Sequence, residues 1–89
     1  METSSRSAFL ETVNALITGD RNVQYGEPTQ DFERTARLWS VYLDKDLSPH
    51  DVAVCQILLK ISRITHNPTK EDSWIDIAGY AACGWECLL

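Results

Sequence analysis

Asp72-Ser73-Trp74-Ile75-Asp76-Ile77-Ala78-Gly79-Tyr80-Ala81-Ala82 reads as a helix apolar enough to be buried, yet it carries two carboxylates four residues apart. A helix turns about 100° per residue, so Asp72 and Asp76 share a face, one turn apart. The preceding apolar segment carries Gln56, Lys60 and Arg63 at i, i+4 and i+7, again on one face. Opposite charges therefore sit on two apolar helices near the turn that joins them. Burying charge is costly unless it is paired or bound to something. One reading is a salt-bridge network between antiparallel helices. The other is a pocket for a phosphorylated ligand, with Arg63 forking a phosphate and Asp72 and Asp76 holding a metal or a ribose. Lys60 and Tyr80 join the ligand-binding candidates on these two helices.

Outward from this stretch the pattern is helical throughout, and nothing alternates like a strand. The spacing predicts four helices. The first runs from about Ser5 to Thr18, with Phe9, Val13 and Leu16 on one stripe, and Gly19-Asp20 closes it. Residues 21–28 read as a polar, turn-prone loop. A loop with Arg21, Tyr25 and Gly26 suits a base by stacking and a phosphate by charge. In the plainer alternative Tyr25 packs on the bundle, Gly26 supplies a positive φ and Arg21 is a solvated cation.

The second helix is expected from about Thr29 to Leu43, with Phe32, Ala36, Trp39 and Leu43 as a core-facing seam. Glu33 and Arg37 pair at i, i+4 on its surface. Ser48, Pro49 and Asp51 then spell a helix start, with an N-cap, a first-turn proline and a capping acid. The third helix, about Pro49 to Thr65, is apolar around most of its circumference and is expected at the centre of the packing. After His66-Asn67-Pro68-Thr69 the fourth begins between Lys70 and Ser73 and runs near the C-terminus. Trp39, Trp74 and Trp85 read as packing residues, and His50 as exposed. Neither His50 nor His66 has a Ser or Cys placed beside it, so nucleophilic catalysis finds no support.

The 89 residues make one domain, residues 1–89, with a hydrophobic content of 44% that suits a globular chain. No apolar run approaches the roughly 20 residues of a membrane span, and no signal-peptide layout opens the chain, which makes a cytoplasmic location the expectation. A net charge of −5 argues against a binder of nucleic-acid polymers. Cys55, Cys83 and Cys87 are odd in number and lack a zinc pattern, so buried free thiols are expected. Two helices apolar all round exceed what a monomer of this size covers with two amphipathic ones. A homo-oligomer, most simply a two-fold dimer burying the third and fourth helices, resolves this.

Arg21, Tyr25-Gly26, Phe32, Leu38-Trp39, Tyr42-Leu43, Asp51-Val52-Ala53, Leu58-Leu59-Lys60, Arg63 and the Asp72–Ala81 stretch together resemble a family of small proteins of unknown function from bacteriophages and prophages. The resemblance covers about residues 21–82, following an N-terminal helix over residues 1–20. It implies a phage context rather than an activity. More weakly, the chain is similar to the all-α nucleotide pyrophosphohydrolases of the MazG-like and dimeric dUTPase group. Those hold magnesium between two acidic pairs on different helices. By that similarity Asp72 and Asp76 would stand for the second pair, as magnesium ligands, and Lys60 and Arg63 would meet phosphates. The first pair is missing, since the second helix offers Glu33 among Arg34 and Arg37. Binding without turnover is thus favoured over hydrolysis. The expectation is a phage-type accessory protein that binds a nucleotide or a related phosphorylated small molecule, for example to sequester a host immune signalling nucleotide. The alternative is a module that engages a host protein, with the charged cluster purely structural.

Overall fold

In the computed structural model, residues 5–89 are described, apart from the side chains of Asp20 and Arg21. They form α1 (Ser5–Thr18), α2 (Asp20–Tyr25), α3 (Pro28–Leu43), α4 (Pro49–His66) and α5 (Glu71–Glu86), with no strand among them. The all-α expectation holds, with four long helices where periodicity placed them. The segment expected as a loop is instead the short helix α2. Six residues make fewer than two turns, too few to establish a period. Asn22 ties this helix back to α1 by donating from Nδ2 to the Ile17 carbonyl at 3.0 Å.

Local chemistry explains the helix ends. Ser48 donates its backbone N–H and its hydroxyl to the Asp51 carboxylate, each at 2.9 Å, closing the start of α4 behind Pro49. At the end of α3, Asp44 takes the left-handed conformation, φ 53°, and its N–H returns to the last turn. Ser40 secures the following loop, since its Oγ accepts the Leu47 N–H at 2.9 Å.

Helices α4 and α5 form an antiparallel hairpin. Two cross-contacts fix its register: Lys60 meets Asp76, and Ala53 meets Gly84. Glycine is required at the second. A Cβ on Gly84 would lie 2.7 Å from the Ala53 Cβ, so its absence lets the helices close. On another side of α5, a Cβ on Gly79 would stand 3.3 Å from Ile17 of α1. Helix α5 packs against α4, α1 and α3, which makes it the centre of the molecule. Phe32, Ala36, Val52 and Ala53 form the core, with Trp39, Tyr80, Cys83 and Cys87 packed against it.

Several packing expectations need correction. Helix α4 buries Val52 and Ala53 but leaves Val54, Leu58, Leu59 and Ile61 exposed, because α3 and α5 cover only one of its sides. The α3 seam holds at Phe32 and Ala36 and ends exposed at Leu43, the last residue of the helix. Trp74 and Trp85 are not core residues. Both are exposed, Trp85 at 64%, and Trp74 donates from Nε1 to the Pro68 carbonyl at 2.9 Å. The three thiols are not fully buried: Cys55 is exposed, and Cys83 and Cys87 are partly covered. His50 is partly covered rather than exposed. Among the described residues no helix is long and apolar enough to cross a membrane.

Candidate functional site

The first three turns of α5 bring Asp72, Asp76 and Tyr80 to successive levels of the hairpin, and the structure treats each differently. Asp76 meets Lys60, with Nζ 2.9 Å from Oδ2 and the two side chains 28% and 14% exposed. Gln56, one turn before Lys60, is half-buried on the same inner face of α4. Arg63 and Asp72 depart from the expected cluster. Both are exposed, and neither makes an ion pair among the described residues. They lie in the last turn of α4 and the first of α5, where the hairpin opens to solvent and long side chains gain little from pairing. The four-member charge network is therefore a single pair.

Beside that pair lies a half-open pocket of about 50 Å³ where α1, α2, α3 and α5 converge. Tyr25, Gly26, Asp76 and Tyr80, four of the residues singled out from the sequence, line it together with Asp31 and Phe32. Tyr25 and Gly26 come from the end of α2, where Gly26 turns the chain at φ 84° and ψ 178°, a conformation open essentially to glycine. Tyr80 is held from behind by the Phe32 ring, with centroids 6.1 Å apart and planes inclined at 32°. The Arg21 side chain, also expected at this site, falls outside the described residues.

Sequence reasoning missed Asp31 and Arg34. Asp31 lines the pocket, and Arg34 bridges it to the Tyr25 carbonyl, with Nη2 3.3 Å from Asp31 Oδ1 and 3.5 Å from the Tyr25 oxygen. The signal was present as an i, i+3 acid–base pair, a spacing too common on helix surfaces to stand out. Next to the pocket, a larger and slightly more open groove of about 350 Å³ shares Ile17, Asn22, Pro28 and Cys83 and adds Glu27 and Glu86. The pocket therefore has apolar and aromatic walls, two carboxylates inside, one cation behind Asp76 and one at the rim.

This arrangement accepts hydrogen bonds and offers ring faces. It does not assemble a metal centre from protein groups, since no three His, Cys, Asp or Glu side chains come together as metal ligands among the described residues. Magnesium at Asp72 and Asp76 would have to draw most of its six oxygens from water and substrate.

Comparison with known proteins places residues 8–88 in a match to the domain of unknown function DUF6378. The chain is 45% identical over 76 residues to the Gene 55 protein of Mycobacterium phage D29, covering 85% of this chain and 50% of that protein. It is 43% identical over 75 residues to the Gene 55 protein of Mycobacterium phage L5, covering 83% and 48%. The chain thus spans about half the length of these curated relatives. No solved structure matches it.

Proposed function

The chain belongs to the DUF6378 family, and we propose that it is a phage-type accessory protein that binds a nucleotide or a related phosphorylated small molecule without turning it over. One observation carries this reading: Asp76, steadied by Lys60, faces a pocket that also gathers Tyr25, Gly26 and Tyr80. Residues from α2 and α5, far apart in sequence, converge there.

The pocket's size and charge define the pose. At about 50 Å³ it takes the edge of a ring rather than a whole ligand, which ordinarily needs ~300–1,000 Å³. A base edge would enter between Tyr25 and Tyr80 and donate its N–H groups to Asp76 and Asp31. The phosphates would lie across the mouth toward Arg34, away from Glu27 and Glu86, which repel them. Arg63 and Asp72 have no part in this pose.

Calorimetry against nucleoside mono-, di- and triphosphates and cyclic dinucleotides, with and without magnesium, tests the proposal. Heat for one of these classes, lost in Asp76→Ala, is the expected result. Silence across the panel would remove the reading in favour of a protein-interaction module. Magnesium-dependent pyrophosphate release abolished by Asp76→Ala would show turnover instead.

A further inference from the structure

We propose that the pocket selects guanine, with the carboxylates of Asp76 and Asp31 as the groups that determine the base. The inference rests on the nucleotide reading above and names which nucleotide. Asp31 and Asp76 line the pocket from α3 and α5. A cation holds each through one oxygen. Asp76 Oδ2 lies 2.9 Å from Lys60 Nζ, and Asp31 Oδ1 lies 3.3 Å from Arg34 Nη2. The remaining oxygens, Asp76 Oδ1 and Asp31 Oδ2, accept no hydrogen bond among the described residues.

An ionised carboxylate accepts hydrogen bonds and donates none. It therefore favours a base edge on which donors stand side by side. Guanine has that edge, because its N1–H adjoins the N2 amino group. Adenine and cytosine set their amino group beside a bare ring nitrogen, whose lone pair a carboxylate repels. Uracil and thymine flank a single N–H with two carbonyls, which it repels as well. Hydrogen bonds to a charged acceptor are roughly twice as strong as neutral ones, so the carboxylates outweigh the neutral groups of the wall. Of those neutral groups, Asn22 gives an amide hydrogen to the Ile17 carbonyl. Tyrosine hydroxyls donate or accept as a partner requires and discriminate little. The rings of Tyr25 and Tyr80 offer faces that suit any base, which leaves the choice to the carboxylates. A cationic guest is not called for, since Lys60 and Arg34 already balance the two acids.

Titration calorimetry of the whole chain tests this with the 5′-mono- and triphosphates of guanosine, inosine, adenosine and uridine. Cyclic di-guanosine and cyclic di-adenosine monophosphate form the matching cyclic pair. Guanine ligands should bind at least about tenfold more tightly than the others of equal phosphate content, inosine included, because inosine lacks only the N2 amino group. Asp76→Asn puts a donor where an acceptor stood. It should lose guanosine binding and gain xanthosine phosphates, in which a carbonyl replaces that amino group, a reversal that a merely structural role would not produce. Inosine or adenine ligands that bind as well as guanine ones overturn the choice of base and leave the nucleotide reading standing, whatever the variant does. A folded Asp76→Asn chain that still prefers guanosine to xanthosine also overturns the proposal. No heat from any member of the panel removes both readings.

Discussion

Lys60 reaches across the α4–α5 hairpin to Asp76, Nζ to Oδ2 at 2.9 Å, and the carboxylate it holds is also part of the pocket wall. Structure and proposed site therefore share an atom group. The pair is neither fully exposed nor fully buried, so its contribution lies between the near-zero value of surface pairs and the large cost of breaking a buried one.

Asp76→Ala should cost about 1–3 kcal/mol by urea unfolding, because it leaves the Lys60 ammonium mostly covered and unpaired. Arg63→Ala should fall within about 0.5 kcal/mol of the parent, as expected for an exposed residue without a partner. Equal losses in both would restore the four-residue network to the account.

Gly84→Ala should destabilise by about 1–3 kcal/mol, since the new methyl has no room against Ala53. Adding Ala53→Gly should recover part of that loss. A double-mutant cycle with no coupling would show that the helices are not in contact there.

Gly26→Ala should cost about 1–3 kcal/mol although no atom lies within 4 Å of the added Cβ, because the cost is conformational. Thermal unfolding checks this. An unchanged midpoint would mean that the turn between α2 and α3 adopts another conformation.

Acid should weaken the protein through Asp51. Hydrogen bonds from the Ser48 backbone N–H, and then from the Ser48 hydroxyl, hold its carboxyl below the usual aspartate value. A group whose folded pKa is depressed contributes stability above its unfolded pKa and loses it as pH falls through the folded one. Urea midpoints measured from neutral pH down through the aspartate range should fall more steeply for the parent than for Asp51→Asn. Parallel curves would contradict the capping role.

Arg34→Ala should weaken binding of phosphorylated ligands while leaving nucleosides little affected, since Arg34 stands at the rim and not in the pocket. Titration of matched nucleoside and nucleotide pairs reads the difference. Equal weakening of both would place the phosphates elsewhere.

The sequence disclosed those parts of the fold that depend on neighbours along the chain. Ser48, Pro49 and Asp51 announced α4 because a cap is local chemistry, and Phe32 and Ala36 announced the α3 seam because burial there follows helical period. Lys60 and Asp76 were legible as a pair since helix phase and a short connection put them face to face. What phase cannot give is which side of an apolar helix its neighbours cover. That is why Leu58 and Trp85 were expected inside and are found outside. Nor does it tell how far a pairing extends toward the open end of a hairpin, where Arg63 and Asp72 part. Helix α2 is too short to carry a period, and Asp31 entered the site through the crossing of α3 over α5, a tertiary fact.

The most direct measurement sets Asp76→Ala and Arg63→Ala side by side in the calorimeter, against the nucleotide class that gives heat with the parent chain. Loss of binding in the first, with the second unchanged, is the result this account predicts. Binding that survives Asp76→Ala, or that vanishes only with Arg63→Ala, would contradict it.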